Sequence, residues 1–133
     1  IYRDKGIAIL VDCPESARFQ GEQHDLEEML GNLLDNACKW ARKNVRFSAV
    51  IKPPSQRGGG SRLIVTIEDD GPGLTTDQRR RIGKRGLRLD ETKPGSGLGL
   101  SIVSDLAHLY RGRLDLADSR YGGLKAILEL PAP

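Results

Sequence analysis

The period of the apolar positions changes several times along the chain. Residues 6–13, GIAILVDC, are mostly apolar and rich in β-branched side chains, which predicts a strand. Residues 17–22, ARFQGE, read as a short strand or a turn. From 23 to 43, QHDLEEMLGNLLDNACKWARK, the residues Leu26, Leu30, Leu33, Ala37 and Ala41 recur at helical spacing and predict an amphipathic helix. Asp25, Glu27 and Glu28 near its start and Arg42 and Lys43 at its end suit the helix dipole. Residues 44–52, NVRFSAVIK, alternate as a strand does; PPSQRGGGS (53–61) is a flexible turn that makes a hairpin with RLIVTIEDD (62–70). The stretch 71–97 has few apolar residues and much Gly and Arg, and a loop of that length inside a compact domain is usually functional or disordered. Residues 98–112, LGLSIVSDLAHLYRG, predict a second helix with Leu98, Ile102, Leu106 and Leu109 on one face and Gly112 closing it. RLDLADS and GGLKAILELP form a last hairpin through a turn at Arg120–Gly123.

Each helix has one apolar face, so both can lie on the same side of the sheet. The expectation is an α/β two-layer sandwich with a mixed β-sheet of about five strands. At 133 residues this is one domain. No apolar run approaches the ~18 residues of a membrane span, and IYRDKGIAIL has charges where the apolar core of a signal peptide would be needed, so none is expected in this stretch. The start at Ile1 without Met is read as an excised fragment. Cys13 and Cys38 lack metal-site spacing and are expected as reduced packing thiols. The net charge of +3 is local: RRRIGKRGLR (79–88) carries six basic and no acidic residues, which leaves −3 for the rest. That points to an anion site rather than a uniformly basic surface.

Four stretches could carry chemistry. On the first helix, Asn32, Asn36, Lys39 and Trp40 fall within about a third of the circumference. Amide oxygens suit Mg²⁺, an ammonium suits phosphate and an indole suits a planar base or sugar; on this helix alone, a solvated face with Trp40 packed at its rim is the simpler reading. In EDDGPGL (68–74), Asp69 ends a strand and Gly71 and Gly73 permit close backbone approach, although an ordinary Asp-Gly-Pro-Gly turn reads the same way. PGSGLGLS (94–101) is neither the dinucleotide fingerprint nor a P-loop, but it is a glycine-rich entry to a helix N-terminus, where free N–H groups attract anions. The basic run is either a solvated charge run, a nucleic-acid contact, or a loop that closes over polyphosphate. It has no interleaved aromatics, and the chain has 5% aromatic residues, which argues against nucleic acid.

Taken in order, these stretches resemble the ATP-binding catalytic domain of bacterial sensor histidine kinases, in the superfamily that includes gyrase, Hsp90 and MutL ATPase domains. NLLDNACKWA resembles the N box, DDGPGL the G1 box and GSGLGLSIV the G2 box; KRGLRLDETKPGSGLGL is most similar to the PhoQ-type kinases. The resemblance implies a Bergerat-type fold over residues 1–133 with a long ATP lid at about 75–97. It implies that Asn32, Asn36 and Ser96 hold or approach Mg²⁺, and that Lys39, Arg88 and Lys93 reach phosphate. Trp40 would pack against the nucleotide, and Asp69 would accept from the adenine amine. Gly71, Gly73 and Leu74 would border the base, and Gly95, Gly97, Leu98, Gly99 and Leu100 would supply backbone to the phosphates. Asn32, Lys39, Arg88 and Lys93 would be the catalytic set. The lid departs from the family in lacking the F-box phenylalanines, so Ile82 and Leu87 would anchor it.

The implied function is transfer of the ATP γ-phosphate to a histidine of an adjoining dimerisation domain, for relay to a response regulator. Neither His24 nor His108 lies in an acceptor context, so the acceptor domain is expected to be absent and the fragment is not expected to phosphorylate itself. The resemblance further implies a homodimeric parent sensor in the inner membrane, with this domain cytoplasmic, free of membrane contact and not bound to nucleic acid. In hydrolysing relatives a Glu occupies position 32 and activates water. An amide cannot act as a base at neutral pH, so Asn32 favours transfer to a protein nucleophile. The alternatives are an ATP hydrolase of the same fold, and a non-catalytic module whose basic loop grips nucleic acid or an acidic partner.

Overall fold

The computed structural model describes residues 6–54, 60–73 and 98–133. Seven elements follow in order: β1 (Ala8–Asp12), α1 (Gln23–Trp40), β2 (Asn44–Lys52), β3 (Arg62–Asp69), α2 (Leu98–Leu109), β4 (Arg113–Asp118) and β5 (Leu124–Pro131). The strands form one mixed sheet in the order β1-β2-β3-β5-β4. β1 runs parallel to β2, and the other three neighbouring pairs are antiparallel. The expected α/β sandwich, with both helices on one face, is therefore the fold. The stretch 17–22 forms no strand, and α1 stops three residues earlier than expected, where Ala41 turns to an extended conformation while its N–H still bonds to the Ala37 carbonyl.

The connections decide which element ends meet. α1 links the parallel neighbours β1 and β2; α2 links β3 to β4, which are parallel to each other across the intervening β5. Both crossovers step the same way across the sheet, but they leave strands of opposite polarity. With both helices on one face, the two crossovers are of opposite hand, so one of them departs from the usual right-handed rule. The helices consequently run antiparallel. The C-terminal half of α1, the end of β3, the start of α2 and the β4–β5 turn all gather at one end of the molecule.

The core lies between helices and sheet: Met29, Leu33, Ala37 and Cys38 of α1, Leu100, Val103 and Ala107 of α2, and Val45, Val65, Ile67, Leu128 and Leu130 below them. This corrects the predicted face of α2 and widens that of α1. On α1 Leu33 and Ala37, with Ala41 just past its end, are buried as expected and Met29 joins them, while Leu26 and Leu30 pack against the core partly covered. On α2 the line is Leu100, Val103 and Ala107, while Leu109 is 78% exposed. Gly112 does not take the left-handed closing position; Arg111 does, at φ 59°. Gly112 is small for another reason, since a Cβ there would run into the Glu129 carbonyl. The Arg111 carbonyl accepts from the Arg62 guanidinium (3.0 Å), which holds the helix end to β3.

At the opposite end, Tyr110 braces the helices. Its hydroxyl donates to the Asp25 carboxylate and accepts from the Glu22 N–H (3.2 Å), and its ring meets Phe19 edge-on at 5.0 Å. Neither cysteine forms a disulfide; Cys13 is exposed and Cys38 buried.

Candidate nucleotide site

The meeting of element ends brings the candidates among the described residues to the same end of the molecule. Asn32 is half-buried on α1, and its Nδ2 donates to the Glu28 carbonyl one turn back (2.8 Å). That bond fixes the amide, so Oδ1 faces the start of α2: a Cβ built on Gly99 would lie 3.0 Å from it. Any larger residue at 99 would crowd this oxygen. Asn36 lies one turn further along α1, also half-buried; Lys39 and Trp40 follow as exposed residues, Trp40 at 46%. Leu98 and Gly99 open α2, whose first N–H groups point toward the same end, and Leu100 is buried in the core.

Asp69 ends β3 and is only 2% exposed. Val45 and Asp69 are register partners, and Val45 is wholly buried in the core, so the Asp69 side chain lies on the helix side of the sheet. Burial pushes its carboxyl above the ordinary value, against the hydrogen bonds from the Gly71 and Leu124 N–H groups, and Asp70 adds a repulsion. Both N–H groups donate to Oδ1, at 2.9 and 3.4 Å. Gly71 must be glycine because a Cβ there would run into the Trp40 carbonyl; Gly73 takes a left-handed φ of 76°. The turn therefore sits directly against the last residue of α1. Leu74, Arg88, Lys93, Gly95, Ser96 and Gly97, with the lid anchors Ile82 and Leu87, lie outside the described residues.

The sequence reading missed one wall of this site. The turn between β4 and β5 closes against Asp69: a Cβ on Gly123 would strike Asp69 Oδ1, and the Gly122 and Gly123 carbonyls lie beside Gly73. Ser119 fastens the turn. Its hydroxyl donates to Glu68 (3.1 Å) and accepts from the Tyr121 N–H (3.0 Å). The signal was the pair of glycines in SRYGG, but their reason is a contact with a residue far away in sequence. His24 is exposed beside Glu28 and His108 is exposed on the last turn of α2, so neither joins the site.

Among the described residues no group of three or more His, Cys, Asp and Glu could hold a metal ion. A cation at this end would depend on neutral amide oxygens and on the anion it accompanies. Asn32 Oδ1 fits that use, being a hard oxygen anchored from behind. A separate cavity of about 460 Å³ is lined by Leu10, Asn44, Val45, Arg46, Glu68, Asp70 and Tyr121, and none of the candidate residues lines it.

The profile described as histidine kinase-, DNA gyrase B-, and HSP90-like ATPase matches residues 21–133. The chain is 49% identical over 119 residues to sensor protein kinase CarS of Pseudomonas aeruginosa, which covers 90% of this chain and 25% of that protein. It is 37% identical over 125 residues to sensor protein PhoQ of Escherichia coli, covering 94% of this chain and 24% of that one. The chain thus spans about a quarter of the length of these relatives. Full-length ShkA in complex with AMPPNP superposes with a TM-score of 0.74 at 28% identity, over 98% of this chain and 27% of that one. With the profile matching residues 21–133 and these relatives covering nearly the whole chain, the chain belongs to the family of histidine kinase-, DNA gyrase B- and HSP90-like ATPases.

Proposed function

We propose that this chain is the Mg²⁺·ATP-binding catalytic domain of a two-component sensor histidine kinase, which presents the γ-phosphate to a histidine of an adjoining dimerisation domain. The observation that carries the reading is the Asn32 amide oxygen turned toward the first turn of α2, at the end of the molecule where Asp69 is buried. The buried Asp69 carboxyl is suited to accept from an exocyclic amine, and Gly71 and Gly73 of the turn that follows it would border the base. The N–H groups opening α2 suit a phosphate chain. Asn32 and Asn36 would hold Mg²⁺, with Ser96 near it; the ion would neutralise phosphate charge. Lys39, Arg88 and Lys93 would offset charge on the transferring group, and Trp40 would lie over the nucleotide. Catalysis would consist of positioning and electrostatics. With an amide rather than a carboxylate at position 32, the domain carries no base there for water, which favours transfer over hydrolysis. The response regulator, the homodimeric parent and its membrane anchor follow from the same reading. No helix among the described residues is long and apolar enough to cross a membrane.

The test is a titration with ATP, with and without Mg²⁺, read by fluorescence of Trp40, the single tryptophan, and by calorimetry. Saturable binding strengthened by Mg²⁺ is expected, and Asn36→Ala should remove the strengthening. Absence of heat and of fluorescence change at millimolar ATP would refute the nucleotide site; unchanged Mg²⁺ dependence in Asn36→Ala would refute the metal role.

A further inference from the structure

Asp69 has a neighbour that none of the assignments above uses. The Asp70 carboxylate accepts the Arg42 N–H (2.7 Å) and the Lys43 N–H (3.1 Å) on Oδ1, and the Asn44 N–H (3.1 Å) and Asn44 side-chain amide (3.3 Å) on Oδ2. These are the backbone amides of the link from α1 into β2, beyond the last hydrogen bond of the helix. Burial acts to raise the Asp70 carboxyl, but the donors from Lys43, Arg42 and Asn44 outweigh it and hold it below its ordinary value. On the same junction the Trp40 carbonyl lies against Gly71. The helix exit and the glycine turn are thus joined twice, by a close backbone contact and by one carboxylate that collects four donors.

We propose that Asp70 is a positioning residue that locks the end of α1 to the turn after β3, and so sets the spacing between Lys39 and Trp40 on one side of the nucleotide site and Asp69 on the other. The proposal rests on the nucleotide-site reading above. Two elements far apart in sequence would grip the two parts of one ligand, and a charge-assisted cluster of hydrogen bonds ties them together. An asparagine cannot replace the acid here: it offers one acceptor oxygen, and its NH₂ would confront the backbone donors.

The experiment compares Asp70→Asn, Asp70→Ser and Asp70→Ala with Tyr110→Phe, which removes the Asp25 bond at the far end of the helices. All are studied well below their melting temperatures. Exchange of the amides of residues 42–44 is read without nucleotide. It should quicken about tenfold or more in the Asp70 variants and stay unchanged in Tyr110→Phe. Affinity for Mg²⁺·ATP should fall about tenfold in Asp70→Asn and less in Asp70→Ser, whose hydroxyl can accept and which sets no NH₂ against the backbone donors. It should stay within about twofold in Tyr110→Phe. The Trp40 emission maximum should move in the Asp70 series alone. Should Asp70→Ala fail to fold, the Asn and Ser variants carry the comparison. Quickened exchange with unchanged affinity, or unchanged exchange, overturns the positioning role while leaving the nucleotide site standing. Lack of ATP binding by the wild-type chain overturns the site, and this role with it.

Discussion

Asp69 and Asp70 are consecutive carboxylates displaced in opposite directions, Asp69 above its ordinary value and Asp70 below it. Asp69 is nearly sealed from water and takes two N–H donors, both on one oxygen. Asp70 is less buried, takes four donors and spreads them over both oxygens. The difference teaches that the supply of hydrogen-bond donors, set against desolvation, decides which carboxyl stays charged comfortably. The saturated acid is suited to hold structure. The undersupplied acid is suited to receive a donor from a ligand.

The harshest way to break this contrast is Gly71→Ala, because Gly71 touches both sides of it. Its added methyl would meet the Trp40 carbonyl and lie 3.0 Å from Asp69 Oδ1, so the turn and the helix end must part. Overpacking against backbone predicts a loss of about 3 kcal/mol, roughly a 10 °C fall in melting temperature, with nucleotide affinity lost as well. A variant that melts like the wild type would mean that the junction yields freely and that the tight approach is not a constraint.

Asp69→Asn sharpens the contrast with less force. The asparagine oxygen can still accept from Gly71 and Leu124, so the fold should survive. At neutral pH the variant should melt no lower than the wild type, since a charge whose burial is unfavourable has gone. What should disappear is the choice of adenine over guanine nucleotides. A hydrogen bond to a charged group contributes about 1.5–3 kcal/mol, so the ratio of affinities should drop by roughly tenfold or more. Discrimination retained by the variant would remove Asp69 from base recognition.

Much of this end of the molecule was legible in the sequence alone. The residues of the three glycine- and asparagine-bearing stretches carry their chemistry in their identity, and period, β-branched composition and turn residues together mark the strands and helices. What was not legible depended on contacts across the chain. The α2 segment has apolar residues at 98, 100, 102, 103, 106, 107 and 109, enough for two overlapping faces. Packing against α1 selects the one that runs through the small Ala107 and strands Leu109 in solvent. Gly112 does follow the helix, but the left-handed turn falls to Arg111, and the pressure of the Glu129 carbonyl on position 112 has no local signature. Gly123 escaped notice for the same reason. Its constraint is Asp69, which comes from another strand.

The gentlest probe of the two acids is the pH dependence of stability. A carboxyl held below 3.8 in the folded state, as in Asp70, favours folding in its charged form. Its contribution is fully present above pH 3.8 and is lost as pH falls through the folded value. A carboxyl raised above 3.8, as in Asp69, favours folding in its protonated form. Its contribution is present below pH 3.8 and is lost as pH rises through the folded value. The two therefore oppose each other around the ordinary carboxylate range. Melting curves from pH 2.5 to 7 should show Asp69→Asn losing less stability than the wild type as pH rises above 3.8. Asp70→Asn, lower throughout the neutral range, should lose less than the wild type as pH falls below 3.8. Parallel profiles for the wild type and both variants would show that neither acid is displaced, and the contrast between them would be one of geometry alone.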